Sequence, residues 1–333
     1  MLVLKESDVY GLLSNITVPE CNHLLNTLHN ALRECTKDKH LSPSERTIHQ
    51  PEREAITTTL GNTSLFMPTS ITTTTGVKVV TLSSGGLKGA INLFTPDGVL
   101  LGVLNAAEVT AFRTSLAVMI PFVRYPHPKT NIVVFGAGRQ AEWHVKLALL
   151  LGQVKHVTIV NRGAPRRMEQ LFATLQQKYP DVKFEVLLKS APDYDSRLRK
   201  YLKDSDVICG CTPATEPHFP ASYLDSKPRY ISLIGSYKPV MQEVDSDTLL
   251  SGGRRIYCDT KEGCLAEAGE LIRAKVTEDQ LIELGELLDD NPLTPDGNLV
   301  FKCVGLGIMD LVMAGELIQM AKDKGVGIVV DDF

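Results

Sequence analysis

A glycine-rich turn between an apolar run and an amphipathic run carries the most definite chemistry in this chain. The apolar residues 132–135 end at Gly136-Ala137-Gly138-Arg139-Gln140-Ala141, and an amphipathic stretch follows over residues 142–151. Gly136 permits a tight turn, Gly138 lets the backbone approach a pyrophosphate, and Ala141 lets a helix pack closely on the preceding strand. The N-terminus of such a helix attracts phosphate through its unpaired N–H groups and its dipole. These six residues therefore predict a dinucleotide-binding site.

The end of the next predicted strand indicates which dinucleotide binds. In NAD-binding units, an acidic residue about 20 positions beyond the glycines accepts hydrogen bonds from the adenosine ribose. Asn161 holds that place, and Arg162, Arg166 and Arg167 follow it. Guanidinium groups suit a 2′-phosphate, so Asn161, Arg162 and Arg166 favour NADPH over NADH. A solvated, basic helix start remains the alternative for Arg166 and Arg167.

Three isolated cations in uncharged surroundings are candidates for binding a carboxylate. They are Arg46, Lys78 in the strand-like segment 76–80, and Arg113 beside Thr114 in a helical segment. A guanidinium can hold a carboxylate by two parallel hydrogen bonds. For each residue taken alone, a second interpretation has equal weight: the side chain is exposed at the surface or forms an internal ion pair.

Composition restricts the class of protein. The chain has 333 residues, 43% of them hydrophobic and 22% charged, with a formal net charge of −4. This length suggests about two domains, and the charge argues against nucleic acid as a partner. We find no membrane-length apolar run and no secretory leader in the sequence. The seven cysteines lack the paired spacing of a zinc site, so we expect reduced thiols, no metal and a cytoplasmic location.

Periodicity divides the chain into two domains around the segment Tyr125-Pro-His-Pro128. Residues 126–303 alternate strands and helices, which predicts an α/β, doubly wound parallel Rossmann sheet. Residues 1–125, rich in β-like runs between 55 and 104, predict a second, α+β domain, which carries the candidate substrate-binding cations. Residues 304–333, mostly one long helix, are expected to return to that domain. Thr212 and Pro213 end the fourth Rossmann strand, where a loop crosses the cofactor, and Val304 and Gly305 are expected to line the nicotinamide.

Several ordered motifs resemble the ornithine cyclodeaminase and μ-crystallin family over essentially the whole chain. They are Glu45-Arg-Thr47, Met67-Pro68, Lys78, Phe112-Arg-Thr114, the glycine turn, Glu267-Ala-Gly269-Glu and Val304-Gly-Leu-Gly-Ile-Met-Asp310. The resemblance implies that Arg46, Lys78 and Arg113 hold the carboxylate of a small α-amino or α-imino acid. It also implies a homodimer, in which residues 1–125 with 304–333 form the substrate-binding and dimerisation domain.

One departure from the family pattern selects among its reactions. Ser236 stands where ornithine cyclodeaminases carry an aspartate after the fifth Rossmann strand, close to the cofactor. A neutral hydroxyl is a poor base and a poor partner for a protonated ornithine side chain. The sequence therefore favours the reductive branch, in which a cyclic ketimine is reduced to the cyclic amino acid with NADPH. Lys78, with a pKa lowered by two neighbouring arginines, is the candidate proton donor, and Arg113 orients the substrate.

Two other interpretations remain open at this point. One is an NAD-dependent amino-acid enzyme, either an ornithine cyclodeaminase or a relative of alanine dehydrogenase. The other is a protein that binds NADPH without turnover, as the resemblance to μ-crystallin implies. The role of Asp310 is open as well, because it either orders the last helix or is an ordinary helix residue.

Overall fold

The computed structural model describes residues 1–163, 166–287 and 292–331. The chain forms two compact units, residues 1–114 with 305–333 and residues 115–304. The elements before the second sheet are β1 (Leu2–Leu4), α1 (Glu6–Ser14), α2 (Val18–Asp38), β2 (Ile48–His49), β3 (Glu54–Thr57), β4 (Thr63–Ile71), β5 (Thr74–Ser83), β6 (Gly86–Phe94), β7 (Leu100–Asn105) and α3 (Ala106–Arg124). Those of the second unit are β8 (Asn131–Phe135), α4 (Arg139–Leu151), β9 (His156–Asn161), α5 (Arg166–Lys178), β10 (Lys183–Leu188), α6 (Tyr194–Asp204), β11 (Val207–Gly210), β12 (Tyr230–Leu233), α7 (Ser246–Leu249), β13 (Ile256–Cys258), α8 (Lys261–Glu267), α9 (Gly269–Arg273), β14 (Leu281–Glu283) and β15 (Leu299–Lys302). The last elements are α10 (Gly307–Lys324) and β16 (Ile328–Val329).

The first unit is built on a mixed sheet with the strand order β16-β1-β7-β6-β5-β4-β2, and β3 also pairs with β4. Neighbouring strands are antiparallel except β1 and β7, which are parallel. Helix α10 packs on α2 and against β4, β5 and β6. Helix α10 therefore packs within this unit.

The second unit is built on a parallel sheet with the order β10-β9-β8-β11-β12-β15-β13-β14. Its central strands are buried over nearly their whole length, which is why their sequences are continuous apolar runs. The chain passes from β8 to β9 on one side and returns to β11 on the other. Ligands of such sheets bind beyond the carboxyl ends of the strands at this reversal. The predicted α/β fold with a parallel Rossmann sheet is confirmed.

The boundary between the units differs from the predicted one. The division falls after Thr114, within α3, whereas the prediction set it at residue 125, where α3 has ended. A proline-rich segment marks the end of a helix but not the point at which its packing partners change. The sequence also predicts a helix over residues 165–178; its first residue, Pro165, and the side chain of Arg167 lie outside the described residues.

Helix α3 is also the one helix in the described ranges that is long and apolar enough to cross a membrane by length and composition. In the sequence we found no apolar run of that length. Of its 18-residue window, 89% is buried inside the fold, as in core helices of globular proteins.

Candidate functional site

The first unit buries two cations against one carboxylate. Lys78 on β5 donates from Nζ to Asp310 Oδ2 at 2.5 Å, and Arg113 on α3 donates from Nε to Asp310 Oδ1 at 3.0 Å. A second Arg113 nitrogen lies 3.4 Å from Asp310 Oδ2. All three side chains are at most 4% exposed. This triad brings together two of the three cations that the sequence predicts at the substrate.

Local sequence places each member of the triad. Alternation along β5 puts Lys78 on the buried face with Gly76 and Val80. A Cβ at Gly76 would stand 2.6 Å from Leu311 Cδ1, so the glycine lets α10 approach the strand. A Cβ at Gly305 would stand 2.8 Å from the Arg113 guanidinium, and the backbone there has a φ of +93°. Gly305 therefore provides both the turn before α10 and the space for the guanidinium.

Burial dominates the protonation of Lys78. Burial lowers the pKa of its ammonium, Asp310 raises it, and the charges of Arg113 and Arg53 lower it, so that the pKa falls from 10.5 to about 8. The expected lowered pKa is therefore present, but neighbouring arginines are a smaller cause than burial. A lysine of this kind still carries its proton near neutral pH and releases it more readily than an exposed one.

Arg46 is placed differently from the other two cations. Its side chain is exposed and donates to the backbone carbonyls of Leu41, at 3.3 Å, and Lys39, at 3.4 Å. Arg53, seven positions later, is the arginine whose charge acts on Lys78. The expected role of Arg46 at a carboxylate stays a prediction. The contribution of Arg53 was missed, because an arginine flanked by two glutamates in the sequence gives no sign of facing a buried lysine.

In the second unit, the glycine turn combines a positive φ with open space at the start of α4. Gly136 has a φ of +106°, and a Cβ there would stand 2.9 Å from Cys211 O. Gly138 is the N-cap of α4 without a side-chain cap, and a Cβ on it would meet nothing within 4 Å. The first turn of α4, Arg139-Gln140-Ala141, therefore begins beside open space, with Ala137 half-buried next to it. These features fit a dinucleotide phosphate.

The end of β9 carries an amide and two guanidinium groups. Asn161 donates from Nδ2 to Gly163 O at 2.8 Å. Arg162 and Arg166, at the start of α5, are both exposed. Their chemistry suits a phosphate better than a ribose hydroxyl.

The remaining predicted cofactor residues of this unit follow the carboxyl ends of β11, β12 and β15. Thr212 donates from its backbone N–H to Glu243 Oε1 at 2.9 Å, and exposed Pro213 follows it. Ser236 is fully buried, and its hydroxyl makes no hydrogen bond within the described part of the chain. Val304 donates from its N–H to Asp259 Oδ1 at 3.2 Å. Thr114, the predicted cofactor residue of the first unit, is buried. Within the described residues, no group of three His, Cys, Asp or Glu is placed to bind a metal.

Sequence reasoning missed the buried ionic groups that support these strand ends. Glu243, Glu270 and Lys302 are each at most 1% exposed. Glu243 and Lys302 belong to no motif with a recognised spacing, and Glu270, which ends the Glu267-Ala-Gly269-Glu motif, was given no role. The only sign in the sequence was glycine at positions 210 and 235, at or just beyond the ends of buried strands. Both glycines leave space for the Glu243 carboxylate.

Comparison with known proteins gives consistent matches over most of the chain. The model of the ornithine cyclodeaminase/mu-crystallin family matches residues 20–325. An uncharacterized protein of Saccharomyces cerevisiae is 30% identical over 298 residues, covering 77% of this chain and 80% of that protein. A Delta(1)-pyrroline-2-carboxylate reductase of Colwellia psychrerythraea is 27% identical over 248 residues, covering 72% and 75%. The structure of the Thermococcus litoralis Delta(1)-pyrroline-2-carboxylate reductase, in complex with NADH and L-proline, superposes with a TM-score of 0.81 at 22% identity, covering 99% and 100%.

Proposed function

Because the chain belongs to the ornithine cyclodeaminase/mu-crystallin family, we propose that it is an oxidoreductase that reduces a cyclic α-imino acid at its C=N bond. Δ1-Pyrroline-2-carboxylate and its six-membered homologue, Δ1-piperideine-2-carboxylate, are the substrates that fit this proposal. The observation that carries it is the buried pair Lys78 and Arg113, which converges on one carboxylate, Asp310. Reductases of Δ1-pyrroline-2-carboxylate are among the relatives of the chain.

In the proposed reaction, the residues of this chain bind the carboxylate and move one proton. Arg113 holds the substrate carboxylate through its guanidinium, and Arg46 adds a further positive charge. When bound, the nicotinamide supplies the hydride that the imine carbon accepts. Lys78 transfers a proton from Nζ to the imine nitrogen, directly or through water, so that C=N becomes CH–NH, and Lys78 regains its proton from solvent.

We further propose that the cofactor is NADPH rather than NADH. The proposal is supported by Asn161, Arg162 and Arg166 at the end of β9, where an NAD-binding unit carries an acidic residue. The Thermococcus litoralis relative binds NADH, so the preference of this chain depends on these residues. A cytoplasmic homodimer completes the proposal. Its dimeric state is supported by the family resemblance and is tested by sedimentation of the purified chain.

A substrate panel tests the reaction. Purified protein is mixed with NADPH or NADH and with Δ1-pyrroline-2-carboxylate, Δ1-piperideine-2-carboxylate or pyruvate with ammonia, and the absorbance of the reduced nicotinamide is followed. We expect rapid loss of NADPH with a cyclic imine and almost none in Lys78→Met. Lys88→Met is the matched control, since Lys88 is an exposed lysine on the adjacent strand β6, and it should keep full activity.

Other outcomes would identify the competing functions. Ammonia release from ornithine with NAD would indicate a cyclodeaminase, and amination of pyruvate would indicate an amino-acid dehydrogenase. Tight NADPH binding without turnover of any imine would indicate a protein whose role is binding. Each of these results would contradict the reductase proposal.

A further inference from the structure

A buried carboxylate joins two strand ends of the second unit. Glu243 is 0% exposed and accepts the backbone N–H of Thr212 on Oε1 at 2.9 Å and that of Gly235 on Oε2 at 2.7 Å. A Cβ at Gly210 would stand 2.7 Å from this carboxylate, whereas a Cβ at Gly235 would meet the Thr212 carbonyl first and the carboxylate at 2.7 Å. Gly210 therefore makes room for the carboxylate, and Gly235 makes room for both the carboxylate and the neighbouring strand end.

A buried lysine joins the next pair of strand ends. Lys302 is the last residue of β15, is 0% exposed, and donates from Nζ to Ser236 O, beyond β12, at 2.9 Å. Its ammonium also pairs with Glu270 at 3.0 Å, and both side chains of this pair are fully buried. Burial raises the pKa of Glu243, but the interaction with His218 and the charge of Lys302 lower it more, so these groups act on one another.

A histidine extends these contacts to β8. The His218 ring stacks on Phe135, the last residue of β8, with ring centroids 4.5 Å apart and planes 1° apart. His218 Nε2 lies 2.7 Å from Thr212 Oγ1 and 3.8 Å from Glu243. We name His218, Glu243, Glu270 and Lys302 the strand-end network, because together they contact residues at the carboxyl ends of β8, β11, β12 and β15.

We propose that the strand-end network consists of positioning residues that fix the loops receiving the nicotinamide half of the cofactor. The inference rests on the nicotinamide cofactor of the proposed function. Buried ion pairs add little stability compared with apolar residues of the same volume, so stability alone does not account for four such groups. The hydrogen bonds of Glu243 and Lys302 go to the backbone of residues 212, 235 and 236, and His218 bonds the Thr212 side chain. These contacts set where the loops lie. The adenosine half is assigned to the end of β9. None of the hydrogen bonds and ion pairs of the network described above reaches a residue of β9.

The test separates the two halves of the cofactor. Glu243→Gln keeps the shape of the side chain but replaces one acceptor oxygen by an NH2 group, so one of the two backbone N–H groups loses its partner. Binding of NADPH and of 2′,5′-ADP, which carries the adenosine half alone, is measured by calorimetry on the purified chain. We expect the Kd for NADPH to rise about tenfold or more and the Kd for 2′,5′-ADP to stay within about twofold.

Asp206→Asn is the matched control. Asp206 is also a buried carboxylate that accepts backbone N–H groups, from Thr130 and Asn131, but it lies at the amino ends of the strands. This variant should leave the ratio of the two Kd values unchanged. If Glu243→Gln does not fold, His218→Phe serves as the test variant, because it keeps a ring on Phe135 and removes the hydrogen bond to Thr212. It should raise the ratio of the Kd for NADPH to the Kd for 2′,5′-ADP, by a smaller factor than Glu243→Gln.

Two results would overturn the inference. One is an unchanged ratio of the two Kd values in the folded network variant, including the case in which both ligands bind equally more weakly. The other is a changed ratio in Asp206→Asn. The binding assay does not depend on turnover, so its failure is distinguishable from failure of the reductase proposal. If the wild-type protein binds NADH better than NADPH, NADH and ADP serve as the ligand pair.

Discussion

Replacing Asp310 by asparagine should move the pH dependence of imine reduction to lower pH. Lys78, buried and with a pKa of about 8, is the proposed proton donor, so activity should fall as pH rises through about 8 in the wild-type protein. Asp310 raises the pKa of Lys78 through its charge and its 2.5 Å hydrogen bond. Removing that charge leaves burial and the two arginines, all of which lower the pKa. The alkaline fall in activity should therefore begin at lower pH in the variant.

The size of this shift follows, to an order of magnitude, from the Coulomb energy of an ion pair. Unit charges about 4 Å apart interact by about 4 kcal/mol at an effective dielectric constant of about 20, and one pKa unit corresponds to about 1.4 kcal/mol. The charge alone would thus account for about 3 units. The asparagine oxygen can still accept a hydrogen bond from Lys78, which opposes part of the change. We expect a downward shift of about 1 to 3 units.

The assay is the pH profile of kcat/KM, which reports the groups of the free enzyme. The titration of the imine substrate itself is common to all variants and cancels in the comparison. Glu316→Gln is the control, since Glu316 lies on the same helix α10 and pairs with exposed His23 at 3.0 Å. A profile that stays in place or moves to higher pH in Asp310→Asn would refute the role of Asp310, as would an equal shift in Glu316→Gln.

Three further predictions follow from single features of the structure. Joint replacement of Arg162 and Arg166 by alanine should raise the Kd for NADPH about tenfold or more and leave that for NADH nearly unchanged, as measured by calorimetry. Gly138→Ala should keep the wild-type melting temperature but weaken dinucleotide binding, whereas Gly136→Ala should lower the melting temperature, because a Cβ there meets backbone at a positive φ. The folded state lowers the pKa of Lys78 from 10.5 to about 8, so between these pH values the unfolded chain binds the additional proton and stability rises with pH. Denaturant titrations should show this rise reduced in Lys78→Met, and an identical slope in both proteins would contradict the assignment.

The parallel sheet of the second unit was predictable because its physical causes are local in the sequence. Strands buried on both faces are continuous apolar runs, and the glycine turn marks the first of them. Strand β15 was missed, although it lies between β12 and β13 in the sheet. It has four residues, Leu299–Lys302, and ends in a lysine. Nothing local shows that this lysine is neutralised by Glu270 within the fold.

In the candidate site, too, contacts between residues far apart in the sequence could not be predicted. The types of Lys78 and Arg113 and their apolar neighbours were enough to single them out. Their shared partner, Asp310, lies 232 residues beyond Lys78 in the chain. Pairing over such a separation depends on α10 packing against β5, and the sequence gives no register for that contact. For the same reason Arg46 was preferred in the sequence, while Arg53 is the arginine whose charge acts on Lys78.

Glycines that pack against buried charged side chains are the one local feature of the sequence that indicates these long-range contacts. Gly305 leaves space for the guanidinium of Arg113, and Gly210 and Gly235 leave space for the carboxylate of Glu243. Turn formation explains Gly305 in part, but Gly210 is a strand residue with no positive φ. A methyl group there would occupy the volume of the carboxylate, so glycine is required by space and not by backbone conformation. A glycine at the end of an otherwise bulky, buried strand therefore predicts that a polar side chain from another part of the chain approaches the backbone at that point.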